Sequence, residues 1–198
     1  ASDSELSTLV SVFLLSLAKN SLSMVSFRML LFNEPENPIV EVLSTKITED
    51  EEKNAIEDEF GAKYTADGLK LICIPKDLSY YTIKNGTKAI GNDAFSGCKS
   101  LKSINIADSV TNIGGGVFAG CSSLESITIS DSVTNIGVGA FVGCSSLESI
   151  TIPNSVTSIA YNAFSLCRSL KEIRIPRGSK NRFSKMIDKS VIDKLIEI

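Results

Sequence analysis

Histidine and tryptophan are absent from all 198 positions. Without histidine there is no Ser-His or Cys-His nucleophile pair and no imidazole ligand for zinc or iron, which closes the commonest routes to hydrolytic and metal chemistry. Proline is scarce, at five, and charge is nearly balanced, with 20 basic against 23 acidic residues. A net charge of −3 argues against a nucleic-acid protein. No uninterrupted run of about 20 apolar residues occurs, because Lys19, Asn20 and Arg28 break the most apolar stretch. Asp3 and Glu5 stand where a signal peptide carries positive charge. A buried or docking helix is therefore the first reading of this stretch and a membrane or export element the second, so membrane association stays open.

What is present is a period. Cys98, Cys121, Cys144 and Cys167 each follow a phenylalanine by three residues, at Phe95, Phe118, Phe141 and Phe164, and the whole pattern repeats every 23 residues. On the same register fall Ile90, Ile113, Ile136 and Ile159, then Leu101, Leu124, Leu147 and Leu170, then Ile104, Ile127, Ile150 and Ile173. Segments 109–131 and 132–154 are near copies, as after tandem duplication. A period of 20–30 residues that carries several apolar columns together marks a stacked solenoid, in which one coil alone cannot bury its hydrophobic face.

Within each unit, Leu-x-x-Ile-x-Ile alternates like a short strand with one buried face, and Phe-x-x-Cys puts two side chains on one side of a helical turn. The string Ile-x-Ile-Pro-x-Ser-Val-Thr-x-Ile-(x)3-Ala-Phe-x-x-Cys-x-x-Leu, standing at 150–170 with Ile152, Pro153, Val156, Ile159, Phe164 and Cys167, resembles the BspA-like leucine-rich repeats of bacterial surface proteins. That resemblance covers residues from about Tyr64 to the C-terminus. It implies an α/β solenoid, a right-handed coil with a parallel strand face. It also implies a non-enzymatic binding module on the cell surface or secreted; the alternative reading is a structural or scaffold protein that mediates assembly inside the cell or envelope, with a cytoplasmic location.

Three regions are expected: 1–60, a helical appendage; 61–178, the solenoid; and 179–198, a C-terminal cap. Leu6, Leu9, Val10, Phe13, Leu14 and Leu17 recur at helical spacing, 22–32 is ambiguous, 33–38 is a loop and 39–43 fits a strand. Thr48 with Glu51 makes a capping box that opens a helix to Phe60, closed by Gly61. Asp67-Gly68 predicts a hairpin at the start of the array. The rung at Tyr81, Ile83 and Thr87 is degenerate, as end rungs are. Phe183, Met186, Ile187 and Val191, followed by Leu195, Ile196 and Ile198, suggest a short helix and a closing strand. Acidic residues gather at 49–59 and basic ones at 168–189, either as solvated caps or as a patch for an anionic partner.

Coils stacked at strand separation put the cysteine column about 4.8 Å apart, within disulfide range. Inward-pointing side chains beside phenylalanine favour buried thiols over disulfides or a four-cysteine metal site. Cys73 lies off the register. Gly114-Gly115-Gly116 reads as a turn of the coil, and Glu125 and Glu148 read as a solvated column.

With the isoleucines inward, alternation turns Ser103 and Asn105, Ser126 and Thr128, Ser149 and Thr151, and Glu172 and Arg174 outward, with Tyr80 and Thr82 at the N-terminal edge. Asn112 and Asn135 fall on the opposite side. These ten outward residues are the expected partner-binding set, for a protein or glycan ligand. No cofactor, metal or catalytic residue is expected, and the caps are expected to keep the chain monomeric.

Overall fold

The computed structural model describes residues 43–198. The elements expected at 6–17, 22–32 and 33–38, and nearly all of 39–43, lie outside that range.

Each 23-residue coil contributes two short strands to two parallel ladders. On the strand face run β4 (Tyr80–Thr82), β6 (Ser103–Asn105), β8 (Ser126–Thr128), β10 (Ser149–Thr151) and β12 (Glu172–Ile175). On the opposite face run β5 (Ala89–Ile90), β7 (Asn112–Ile113), β9 (Asn135–Ile136) and β11 (Ser158–Ile159). The result is a β-solenoid of about six turns with parallel strands.

The interior is built from columns. Phe95, Phe118, Phe141 and Phe164 stack with ring centroids 5.1, 5.2 and 5.5 Å apart, and the planes become more nearly parallel along the series, from 25° to 8°. The leucine column at 101, 124, 147 and 170 is equally buried. Each Phe-x-x-Cys segment closes as single turns, with the Cys N–H bonded to the Phe C=O at 3.1–3.3 Å. It does not grow into a helix because a left-handed residue separates the two: Gly97, Gly120 and Gly143 at φ +72°, +71° and +73°, and Leu166 at +62°. The N–H groups of Phe118 and Gly120 bond instead to Ala140 and Val142 of the next coil, at 2.7 and 2.8 Å.

Both ends are closed. β1 (Ile56–Glu57), β2 (Lys63–Tyr64) and β3 (Lys70–Cys73) extend the opposite face as an antiparallel meander, turned at Gly68 with φ +73°. The expected capping box is present at α1 (Glu49–Lys53), but this helix stops at Asn54 rather than at Phe60. Two local interactions end it. The Asp58 carboxylate accepts the N–H groups of Phe60 and Ala62 at 2.9 and 2.8 Å, which makes a turn. Ile56 then pairs with Tyr64 in the meander. At the other end α2 (Lys180–Phe183), a 3-10 helix (Lys189–Lys194) and β13 (Leu195–Glu197) cover coil four, and β13 pairs with β12 in parallel. Arg182 ties this cap down through the carbonyls of Val156 and Asn154, at 2.8 and 3.1 Å.

The first rung departs from the others. Thr87 takes the place of Val110, Val133 and Val156 and is fully buried, and its hydroxyl makes no hydrogen bond.

Candidate binding surface

The strand face brings the ten expected residues into two columns. Tyr80 lies beside Ser103, Ser126 beside Ser149, and Ser149 beside Glu172. Thr82 lies beside Asn105, Thr128 beside Thr151, and Thr151 beside Arg174. Tyr80 is 63% exposed, and Thr82, Ser103, Asn105, Ser126 and Thr128 are also exposed. Ser149, Thr151, Glu172 and Arg174 are half-buried, and the Arg174 guanidinium meets the Glu172 carboxylate at 2.8 Å. A second surface pair, Lys171 with Glu148 at 3.0 Å, flanks the same end. β13 adds a further strand to this face and sets the exposed Ile196 next to Arg174, an apolar group that the repeat pattern does not foretell.

The ladder on this face is interrupted. β4 and β6 form one sheet and β8, β10, β12 and β13 another, with no pairing between β6 and β8. At the other three repeat interfaces the strands are framed by two main-chain bonds. These are Lys102 N–H to Ser79 and Ile83 N–H to Asn105, then Glu148 N–H to Glu125 and Ile129 N–H to Thr151, then Lys171 N–H to Glu148 and Ile152 N–H to Arg174. The corresponding bonds from Glu125 to Lys102 and from Ile106 to Thr128 are missing. Ile104, beside this gap, is half-buried where Tyr81, Ile127, Ile150 and Ile173 are buried. The opposite ladder continues unbroken past the same coils.

At the N-terminal edge the ring of Tyr81, the inward neighbour of Tyr80, is buried, and its hydroxyl bonds to Asp58 at 2.5 Å and to Tyr64 at 2.7 Å. Burial pushes the Asp58 carboxyl up, but bonds from Tyr81 and from the Ala62 and Phe60 amides outweigh it, and the group sits below its ordinary value. Burial and the adjacent carboxylate push Tyr81 far up. This cluster ties the N-terminal meander to the first rung.

The cysteine column is inside the stack. All five cysteines are free thiols. Those of Cys121, Cys144 and Cys167 donate to the carbonyls of Phe95, Phe118 and Phe141, one coil back, at 3.1, 3.0 and 3.0 Å. Burial raises Cys98 and pushes Cys121 up to about 12. Such thiols are poor nucleophiles. Among the described residues no cluster of three or more His, Cys, Asp or Glu side chains could hold a metal, and no helix is long and apolar enough to cross a membrane.

Asn112 and Asn135 lie on the opposite face, but within it rather than projecting from it. Asn112 is 3% exposed and Asn135 is half-buried, and the Asn135 amide donates to the Asn112 side chain at 2.9 Å. They form a stacked amide ladder inside an open groove of about 550 Å³, lined also by Thr45, Val138 and Ala160. Thr45 reaches this face through a 2.9 Å bond from the Asn92 N–H to its carbonyl. Two large apolar side chains, Val138 and Tyr161, are exposed here.

Residues 74–188 match the BspA type leucine rich repeat region, in six copies. The chain belongs to this family. Among solved leucine-rich repeat structures, one from Eubacterium ventriosum is 28% identical with a TM-score of 0.59, over 63% of this chain and 34% of that one. A leucine rich cell surface protein from Faecalibacterium prausnitzii is 32% identical with a TM-score of 0.52, over 68% of this chain and 42% of that one. A leucine rich repeat protein of T. pallidum shares the fold, at 24% identity and a TM-score of 0.50, over 61% of this chain and 67% of that one. The chain thus spans about a third of the length of the first of these. No curated protein matches it in sequence. BspA-type repeats make interaction modules, and the fold is typically non-catalytic.

Proposed function

We propose that this chain is a non-enzymatic binding module of a bacterial surface or secreted protein, and that it holds a protein or glycan ligand against its strand face. One observation carries the reading. The polar columns from Tyr80 to Arg174, exposed as far as Thr128 and half-buried beyond it, rest on strands whose inward side chains Tyr81, Ile127, Ile150 and Ile173 are buried in the core, so within each of the two sheets the strands hold these side chains in fixed order and spacing. Extended surfaces of this kind are where solenoids meet their partners. The cell-surface description of the Faecalibacterium relative and the frequent surface association of BspA-type proteins support the location. The absence of histidine, which removes any Ser-His or Cys-His pair, and the burial of Cys98 and Cys121 with raised thiol values support the non-enzymatic reading.

The test is an array of immobilised host-matrix proteins and glycans, probed with the wild-type chain and with Thr128→Arg/Thr151→Arg. Binding by the wild type that the double variant loses, at an unchanged melting temperature, supports the reading. Equal binding by both moves the site to the opposite face or the caps. A control on the opposite face uses Val138→Arg and Tyr161→Arg, since the asparagine ladder is a structural element.

A further inference from the structure

The broken ladder between coils two and three gives the strand face a site of its own. At the gap, main-chain donors at Glu125 and Ile106 and acceptors at Lys102 and Thr128 lack the bonds that their equivalents make in the other coils. The groups that flank them, Ser103, Asn105, Ser126 and Thr128, are exposed, small, polar and uncharged. Lys102 and Glu125, which precede the two strands, are both exposed and their charges cancel. Tyr80 stands one rung away, beside Ser103, with 63% of its surface free. No other aromatic residue lies on the columns of this face.

We infer that this gap is a binding site for a neutral saccharide chain, with Tyr80 as the platform for one sugar ring and the exposed polar side chains along the gap beside it as its hydrogen-bonding partners. The inference rests on the strand-face reading above and narrows its ligand. The chemistry matches in three ways. An aromatic face carries a negative quadrupole that attracts the partly positive C–H face of a pyranose. A sugar's hydroxyls both donate and accept, so they satisfy the unpaired N–H and C=O groups together with the hydroxyl and amide side chains. The exposed side chains along the gap form no apolar anchor site for the buried Trp, Tyr or Arg groups that dominate protein interfaces, and carry no net charge for an anionic polysaccharide.

The premise is tested on the free chain by hydrogen exchange. Glu125 and Ile106 amides should exchange at least about tenfold faster than those of Glu148 and Ile129. Equal protection would mean that the ladder is closed and would overturn the site. Binding is then measured by amide shift perturbation with neutral hexaoses of glucose, mannose and N-acetylglucosamine, against a heparin hexasaccharide. The expected result is saturable binding of a neutral hexaose with shifts at 102–106 and 125–129, weakened about tenfold or more by Tyr80→Ala and by Ser126→Arg. Both changes are on the surface, so melting temperature checks the fold of each variant. No binding of any neutral hexaose at millimolar concentration overturns the inference, as does a preference for heparin. If a matrix protein binds the same face while the hexaoses do not, the inference fails and the strand-face reading stands. Hexaose binding lost in Val138→Arg but kept in Ser126→Arg rejects both.

Discussion

Replacing Phe141 with alanine removes the ring at the middle of the aromatic stack. Phe141 has no exposed surface and lies 5.2 Å from Phe118 and 5.5 Å from Phe164, so both of its faces lose a partner. Buried Phe→Ala changes cost about 3–5 kcal/mol. Two stacked neighbours, each worth about 0.5–1.5 kcal/mol, place this one in the upper part of that range, about 4–5 kcal/mol. For a chain of this size each kcal/mol lowers the melting temperature by about 2–4 °C, which gives a fall of roughly 8–20 °C. Among the described residues Phe164 stacks on one phenylalanine, so Phe164→Ala should cost less by about one such pair. The assay is urea and thermal unfolding of wild type and both variants. A loss below about 1 kcal/mol at Phe141, or a larger loss at Phe164, would refute the stacked-column account of the core.

The buried thiols give an alkaline limb. Because Cys98 and Cys121 are raised in the folded state, their contribution is complete below the unfolded thiol value and is lost as pH rises through the folded one; unfolding midpoints should therefore fall above about pH 9. Rapid alkylation of Cys121 in the native chain would contradict this. Asp58, Glu51 and Asp67 are lowered, so stability should fall as pH drops below about 4, and Asp58→Asn should flatten that limb in a series of melts against pH. Leu166→Gly should raise stability by about 0.5–1 kcal/mol, because relief of about 1–2 kcal/mol of left-handed strain exceeds the entropy that glycine loses. A lower melting temperature for that variant would mean that the leucine makes a compensating contact. Removal of 179–198 uncovers β12 and the last coil, and light scattering should find aggregates where the full chain is monodisperse.

How far this structure could be read from sequence depends on the length of each signal. The 23-residue columns of Phe, Cys, Leu and Ile are long-range repetitions, and their members are buried as expected except Ile104, which is half-buried. The Thr48/Glu51 box and the Asp67-Gly68 turn are complete local signals. The helix ends at Asn54 rather than Phe60, a point the sequence does not mark because the acidic run 49–59 has no apolar stripe to bound it; the Asp58 turn and the β1–β2 pairing decide the matter. Two-residue strands such as Asn112–Ile113 are too short for a period of two to register, so the second ladder and the burial of Asn112 were not legible. The gap between β6 and β8 has no sequence mark either: Ser-Ile-Asn-Ile at 103–106 and Ser-Ile-Thr-Ile at 126–129 are nearly identical, yet Ile104 alone among its column is half-buried. The candidate site residues were readable as outward positions. Which of them flank unpaired main chain was not.

The most direct test of the strand-face claim is the hydrogen-exchange footprint of the chain bound to the array component that gives the strongest signal. The account predicts that bound ligand slows exchange on the strand face, in segments 80–83, 102–106 and 125–129, and leaves 43–47, 135–139 and 180–194 unchanged. Protection confined to those last three segments would place the ligand on the opposite face or the C-terminal cap and contradict the account.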